Sequence, residues 1–292
     1  MIPSGYIDLH THGGGRYDTR TDDASSILKM AEYHGAAGTA AILPTIYPGP
    51  VDEMRRNMAA VREAIGIQEN HGMQGRHTSA RILGAHLEGP FLNPGRRGAL
   101  DAGSLVKPSV RVLKSLITGY EDVIKIITVA PELPGALRVI RSCSDAGIRV
   151  NMGHSDATYE QALRGKAAGA GGITHIFNGM RPFHHREPGL AGLGLLDEEL
   201  YIEVIADGVH LHPQALALIF GSKRLDRIIL VSDSVKGGRK GRPVFNDRAI
   251  LAGSGITLSD SRAVLRGIGV PEAEIAEAAS DNPARYLGLK PA

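Results

Sequence analysis

Tryptophan is absent, and aromatic residues make up only 4% of the 292 positions. A platform for stacking nucleic-acid bases is therefore not expected. Neither sign of charge dominates. The formal net charge is +2, which gives no electrostatic case for a nucleic-acid partner or a membrane surface. Cys143 is the only cysteine, so no intramolecular disulfide can form. That suits a reducing cytosol, and a cytoplasmic protein is expected. Its setting, LRVIRSCSDAG, reads as a buried helix position. No uninterrupted apolar run approaches the roughly 20 residues of a membrane span. The start, MIPSGYIDLHTH, lacks a basic stretch followed by an apolar one, so no signal peptide is expected.

What is present is a soluble globular composition, 42% hydrophobic and 22% charged, with 37 glycines for tight turns. Short Val/Ile/Leu-rich runs alternate with helical patterns. Strands are expected over 6–12, 38–46, 81–89, 123–132, 148–155, 171–178, 201–208 and 227–234. Helices are expected over 25–36, 52–66, 109–117 and within 135–147, 158–169 and 213–223. The link from Asn178 to Tyr201 reads as a Pro- and Gly-rich loop. Near-continuous apolar strands are those buried on both faces. Repeated strand–helix units imply parallel strands with right-handed crossovers. Eight of them close into a (β/α)8 barrel, expected to fill residues 1–292 as a single domain. The alternative, an open doubly wound sheet, wants a glycine fingerprint that HGGGRYD does not match in spacing. After Ser234 the sequence predicts a basic loop at 236–242, a hairpin at 243–252 turning at Asn246-Asp247, and helices over 260–267 and 271–280.

The ends of the predicted strands carry the chemistry. The first ends in His10 and His12, the third in Glu88, the fifth in His154 and the sixth in His175. The seventh ends at Asp207 with His210 just beyond, and the eighth at Asp233. In a barrel these ends converge on one rim. Residues two apart on a strand face the same way, so His10 and His12 can reach one ion. Imidazole and carboxylate donors suit Zn2+ and related metals. Taken singly, each has a plainer reading: Glu88 could pair with Arg96 or Arg97, and Asp233 could cap a turn. Ligand-type residues at one end of five strands favour a metal site. His34, His71 and His77 fall in helix or loop segments and read as solvated or structural.

The segments GYIDLHTHGGG, GAHLEGPFLNPGRRGAL, APE (130–132), NMGHSDATYEQ, THIFNGMRPFHHREPGLAG, VIADGVHLHP, LVSDS, LAGS (251–254) and NPARYLGL resemble the N-acetylglucosamine-6-phosphate deacetylases of the amidohydrolase superfamily. They occur in family order from residue 5 to 289. The Glu-Gly-Pro and His-x-x-Asn-Gly-Met segments are specific to that branch, whereas His-x-His is shared across the superfamily. The resemblance implies Glu88, His154 and His175 as primary metal ligands. It implies His10 and His12 as positions that bind a second ion in some relatives, so one or two ions are expected. Zn is the expected metal, with Fe, Mn or Co as other candidates. Asp233 matches the catalytic aspartate. Asn178, Gly179, Arg186 and His210 match positions that hold the sugar phosphate, with Arg186 a candidate to serve a neighbouring subunit in a homodimer. His210 is also a candidate to stabilise an oxyanion. Two features depart from the pattern. Family members usually carry a small β-sandwich flanking the barrel, whereas a bare barrel is expected here, and DSV (233–235) stands where DAM or DAT is typical.

The expected reaction is hydrolytic removal of an acetyl group from a phosphorylated amino sugar. His184, His185, Lys236, Arg239, Lys240 and Arg242 are further candidates to face the phosphate. Another N-acyl or cyclic amide substrate remains an alternative, as does a sugar-phosphate-binding barrel without turnover.

Overall fold

The computed structural model describes residues 5–70, 79–238, 243–246 and 249–289. The predicted His71 and His77, the basic residues Arg239, Lys240 and Arg242, and Asp247 of the predicted turn lie outside them. Eight parallel strands form the centre: β1 (Tyr6–Thr11), β2 (Thr39–Ile46), β3 (Ala85–Glu88), β4 (Ile124–Val129), β5 (Arg149–Met152), β6 (Gly172–Ile173), β7 (Tyr201–Ile205) and β8 (Ile228–Val231). Each pairs with the next along the chain. Helices α1 (Ala24–Ala36), α2 (Val51–Asn70), α3 (Val110–Ile117), α4 (Ala136–Asp145), α5 (Tyr159–Ala167), α6 (Gly189–Leu196), α7 (Pro213–Ser222) and α8 (Leu258–Gly267) follow the strands in turn. The expected (β/α)8 barrel is the fold observed.

Closure between β8 and β1 relies partly on a side chain. Asp8 Oδ1 accepts from the backbone N–H of Ser232 at 3.2 Å. Further along, Asp233 N–H donates to His10 O at 2.9 Å and His12 N–H to Ser234 O at 2.8 Å. The seam thus fixes His10, His12 and Asp233 relative to one another before any ligand arrives.

Local chemistry explains the helices. Asp23 caps α1 by accepting from Ser25 N–H. Thr158 and Gln161 form a capping box at α5. Thr257 and Asp260 do the same at α8. Buried apolar residues of α1 and α2, such as Ile27, Met30, Met54 and Met58, pack on the strands. A second apolar cluster joins Ile7, Leu43, Ile126 and Ile229 to Ala284 and Tyr286. Those last two lie on a C-terminal helix at Asn282–Tyr286, which continues Glu272–Ala276 through one wide turn. Helix is therefore longer here than the predicted 271–280.

The structure corrects one element. The link from Asn178 to Tyr201 is not all loop, because it contains α6. Its sequence, GLAGLGLL, reads poorly as helix because glycine is costly there. Packing supplies the reason: a Cβ on Gly194 would stand 2.8 Å from Ile173 Cδ1 and 3.0 Å from Ile176 Cδ1. Glycine lets the helix lie against the strands. The predicted hairpin is partly present, with Val244–Phe245 antiparallel to Leu251–Gly253.

His34 is structural. It is buried, and its Nε2 lies 3.0 Å from Gly13 O and 3.1 Å from Thr11 Oγ1. Burial pushes its pKa down to about 4. Cys143 is a buried free thiol, and burial pushes its pKa up to about 12. It should not react with a chromogenic disulfide reagent in the native protein at pH 8, and should titrate fully in denaturant. Rapid native labelling would show that α4 opens readily. Among the described residues no helix is long and apolar enough to cross a membrane.

Candidate metal centre

The C-terminal ends of the strands bring the predicted polar residues together. Glu88 ends β3 and is 3% exposed. Its Oε1 is 3.0 Å from His154 Nε2 and 3.1 Å from His175 Nε2. The same oxygen is 3.5 Å from His10 Nε2, and Oε2 is 3.1 Å from His12 Nε2. His10 Nε2 and His12 Nε2 are 3.3 Å apart. Asp233 Oδ1 sits 3.6 Å from each of them. Arg96 and Arg97 do not neutralise Glu88. Arg96 pairs with Asp156 at 2.6 Å, and Arg97 donates to Pro94 O.

The backbone departs from regular strand where these residues sit. His154, His175, Phe177 and Asp233 have φ of 46°, 27°, 72° and 48°. Left-handed conformations cost of order 1–3 kcal/mol each for such residues and collect at functional sites. This also explains why β5 and β6 end sooner than predicted. Gly179, itself at φ 59°, is required by space: a Cβ there would meet His154 Nδ1 at 2.8 Å and Arg96 O at 3.2 Å.

Each imidazole is oriented by its other nitrogen, except one. His154 Nδ1 donates to Arg96 O at 2.9 Å and His12 Nδ1 to Thr45 O at 2.9 Å. His10 Nδ1 meets Glu203 Oε2 at 3.0 Å. His175 Nδ1 is buried with no partner among the described residues. Tyr47 stacks on His12 with centroids 3.9 Å apart, and the Arg20 guanidinium lies over the Tyr47 ring at 3.7 Å.

Burial pushes His10 down to about 3, which keeps its ring neutral. Burial alone would raise Glu88, but His154 and His12 outweigh it and hold the carboxyl well below the usual range. For His175, burial is likewise outweighed, here by the bond and charge of Glu88, and its pKa rises to about 9. A cation entering beside Glu88 would take the place of that proton.

The donor set fits a divalent ion. Bonds near 2.0–2.1 Å in a tetrahedron place donors about 3.3 Å apart, and Glu88 Oε1 lies 3.0, 3.1 and 3.5 Å from Nε2 of His154, His175 and His10. Among the described residues, three groups of donors lie within 4.8 Å of one another: His10, Glu88 and His175; His10, His12 and Asp233; and His10, His86 and Glu203. His154 Nε2 reaches Glu88 Oε1 at 3.0 Å but falls in none of these three groups.

Beside these donors is a cavity of about 200 Å3 lined by Tyr47, Arg97, Asn178, Gly179, His210 and Asp233, among others. His210 Nδ1 is 2.7 Å from Asp207 Oδ2, which leaves Nε2 for the cavity. Arg186 is not part of this lining. It lies on an exposed loop and contacts His185 at 2.9 Å. His184 and His185 are exposed on the same loop.

Sequence reasoning missed several participants. Glu203, His86 and Asn151 are buried beside the site. A carboxylate inside the apolar run YIEVI was the available signal for Glu203. Glu132, from the APE segment, accepts from Asn93 Nδ2 at 2.8 Å, Ser155 Oγ at 2.7 Å and Asp156 N–H at 2.6 Å. It ties the loop after β3 to the loop carrying His154.

The chain matches no family model. It is 35% identical over 308 residues to an N-acetylgalactosamine-6-phosphate deacetylase of Escherichia coli O157:H7, covering 99% of this chain and 78% of that protein. To an N-acetylglucosamine-6-phosphate deacetylase of Bacillus subtilis (strain 168) it is 33% identical over 305 residues, covering 99% and 76%. Among solved structures, an N-acetylglucosamine-6-phosphate deacetylase from Thermotoga maritima superposes with a TM-score of 0.87 at 28% identity, over 98% of this chain and 78% of that one. A variant of the Mycobacterium smegmatis enzyme, solved in complex with N-acetyl-D-glucosamine-6-phosphate, gives 0.87 at 27% identity, over 99% and 78%.

Proposed function

The chain belongs to the N-acetylglucosamine-6-phosphate deacetylase family, and on that footing we propose that it hydrolyses N-acetylglucosamine 6-phosphate to glucosamine 6-phosphate and acetate. The observation that carries this reading is the convergence of His154 and His175 on one oxygen of the buried Glu88, beside Asp233 and an open cavity.

Glu88, His154 and His175 would hold a divalent ion, Zn2+ by the chemistry of the donors, with His10 and His12 available to a second. When bound, such an ion acidifies water and polarises a carbonyl. The protein does the rest. Asp233 takes the proton of the attacking water and returns it to the departing nitrogen, which leaves poorly without one. Asp207 steadies the His210 ring, whose Nε2–H, when protonated, donates to the oxygen that gains charge. Asn178 and Gly179 place the sugar in the cavity. The buried free thiol of Cys143 suits the cytosol as its compartment.

Arg186 is proposed to bind the 6-phosphate. Its place on an exposed loop suits a role at the cavity of a neighbouring copy in a homodimer. Arg97, which lines the cavity within the same chain, is the competing cation. Arg186→Ala should raise KM for the phosphorylated substrate far more than for N-acetylglucosamine. Equal effects on both would remove the role from Arg186, and a selective effect in Arg97→Ala instead would assign it there.

The reading as a whole is tested by metal analysis coupled to acetate release. N-acetylglucosamine and N-acetylgalactosamine, each with and without 6-phosphate, and a set of N-acyl amino acids should be compared. Release should be fastest from N-acetylglucosamine 6-phosphate and stop with a chelator. Faster turnover of N-acyl amino acids, or sugar-phosphate binding with no acetate in the presence of Zn2+, would sink it.

A further inference from the structure

Glu203 is 1% exposed in the middle of an apolar strand. A carboxylate is costly there unless both oxygens are satisfied. They are: Oε2 is 3.0 Å from His10 Nδ1, and Oε1 accepts from Asn151 Nδ2 at 2.7 Å. Asn151 Oδ1 in turn accepts from the hydroxyl of Tyr286. The line runs from the C-terminal helix across β5 and β7 to β1. Gly172 leaves room for it, since a Cβ at that position would stand 2.4 Å from Asn151 Oδ1 and 2.8 Å from the Tyr286 hydroxyl.

His10 is the residue common to all three donor groups. A ring nitrogen can bind an ion only through a lone pair. The form in which Nδ1–H donates to Glu203 leaves Nε2 bare, facing Glu88, His12 and Asp233 at 3.3–3.6 Å. The opposite tautomer would aim a hydrogen into the donor cluster. His86 cannot turn the third group into a further ion site. Its Nδ1 meets Leu9 O at 3.0 Å and its Nε2 meets Thr128 Oγ1 at 2.8 Å, so both nitrogens are engaged.

We propose that Glu203, braced by Asn151 and Tyr286, is a positioning residue that holds His10 in its ion-binding form and so sets the affinity of the His10 and His12 side of the site. This rests on the metal reading above and adds a residue outside the donor set. Outer partners of metal-bound histidines typically change affinity by about 10–100-fold.

The test is Zn2+ titration against a chromophoric chelator, with the visible spectrum of the Co2+-loaded protein, on wild type, Glu203→Leu, Glu203→Gln and Glu203→Gln/Tyr286→Phe. Glu203→Leu should weaken binding by about 10–100-fold, alter the Co2+ spectrum, and lower kcat more than it raises KM. Glu203→Gln should lose less, because Asn151 can turn its amide while the Tyr286 hydroxyl accepts. Removing that hydroxyl in the double variant should restore the larger loss. Should Glu203→Leu not fold, the Gln variant and the double variant carry the test. Folded variants with wild-type Zn2+ affinity and Co2+ spectrum, lower only in Tm, would overturn the proposal. A wild type that binds no Zn2+ or Co2+ would instead sink the metal reading and this inference with it.

Discussion

Asp233→Asn will lower kcat by about 10^2–10^4-fold, the range a positioned acid–base group supplies, while the bound divalent ion stays in place. The substitution keeps the size of the side chain and removes its capacity to take a proton. The backbone that holds it is independent of the carboxylate: Asp233 N–H donates to His10 O, and Asp233 O accepts from Ser254 N–H, each at 2.9 Å. The left-handed φ of 48° suits Asn as well as Asp. Geometry should therefore survive and chemistry should not. Steady-state kinetics with metal analysis on the same sample separates the two. A variant retaining more than a tenth of wild-type kcat would show that the proton goes elsewhere, with His210 the next candidate.

Glu88→Gln should abolish activity by a different route, through loss of the ion. The Glu88 carboxylate contacts His10, His12, His154 and His175 at once. Gln supplies one neutral oxygen and turns two hydrogens toward imidazole nitrogens that need lone pairs free. Without the ion the reaction loses several kcal/mol of transition-state stabilisation, about 10^3-fold or more at 1.36 kcal/mol per decade. Purified Glu88→Gln should contain little metal, and excess Zn2+ should restore activity only in part. Full occupancy with wild-type kcat would remove Glu88 from the site. The contrast with Asp233→Asn is diagnostic, because one variant keeps its ion without turnover and the other loses both.

The two substitutions draw on residues that strand patterning made visible. His10, His12, Glu88, His154, His175 and Asp233 stand at the ends of apolar runs, and closing those runs into a barrel requires their ends to meet. Arg186 was as visible in sequence but lies outside the cavity of its own chain. Where it reaches depends on a loop, and loop paths leave little periodic trace. Glu203, Asn151 and Tyr286 were hidden for the opposite reason. Glu203 and Asn151 are polar residues within buried strands, Tyr286 lies in the C-terminal segment NPARYLGL, and only contacts across the barrel give them a task. The helix α6 was hidden because its glycines argue against helix locally, while Gly194 is what admits the helix against Ile173 and Ile176.

From the chain alone came the order of strands and helices, the barrel they close, and the group of imidazoles and carboxylates at one rim. These follow from hydrophobic burial and backbone periodicity, which act over a few residues at a time. Tertiary structure decided which nitrogen of each ring faces the donor cluster, where the backbone bends left-handed to present His154, His175 and Asp233, and which buried acid holds His10. Those depend on separations of about 3 Å between atoms as much as 224 residues apart, since hydrogen bonds and metal coordination act only at that range.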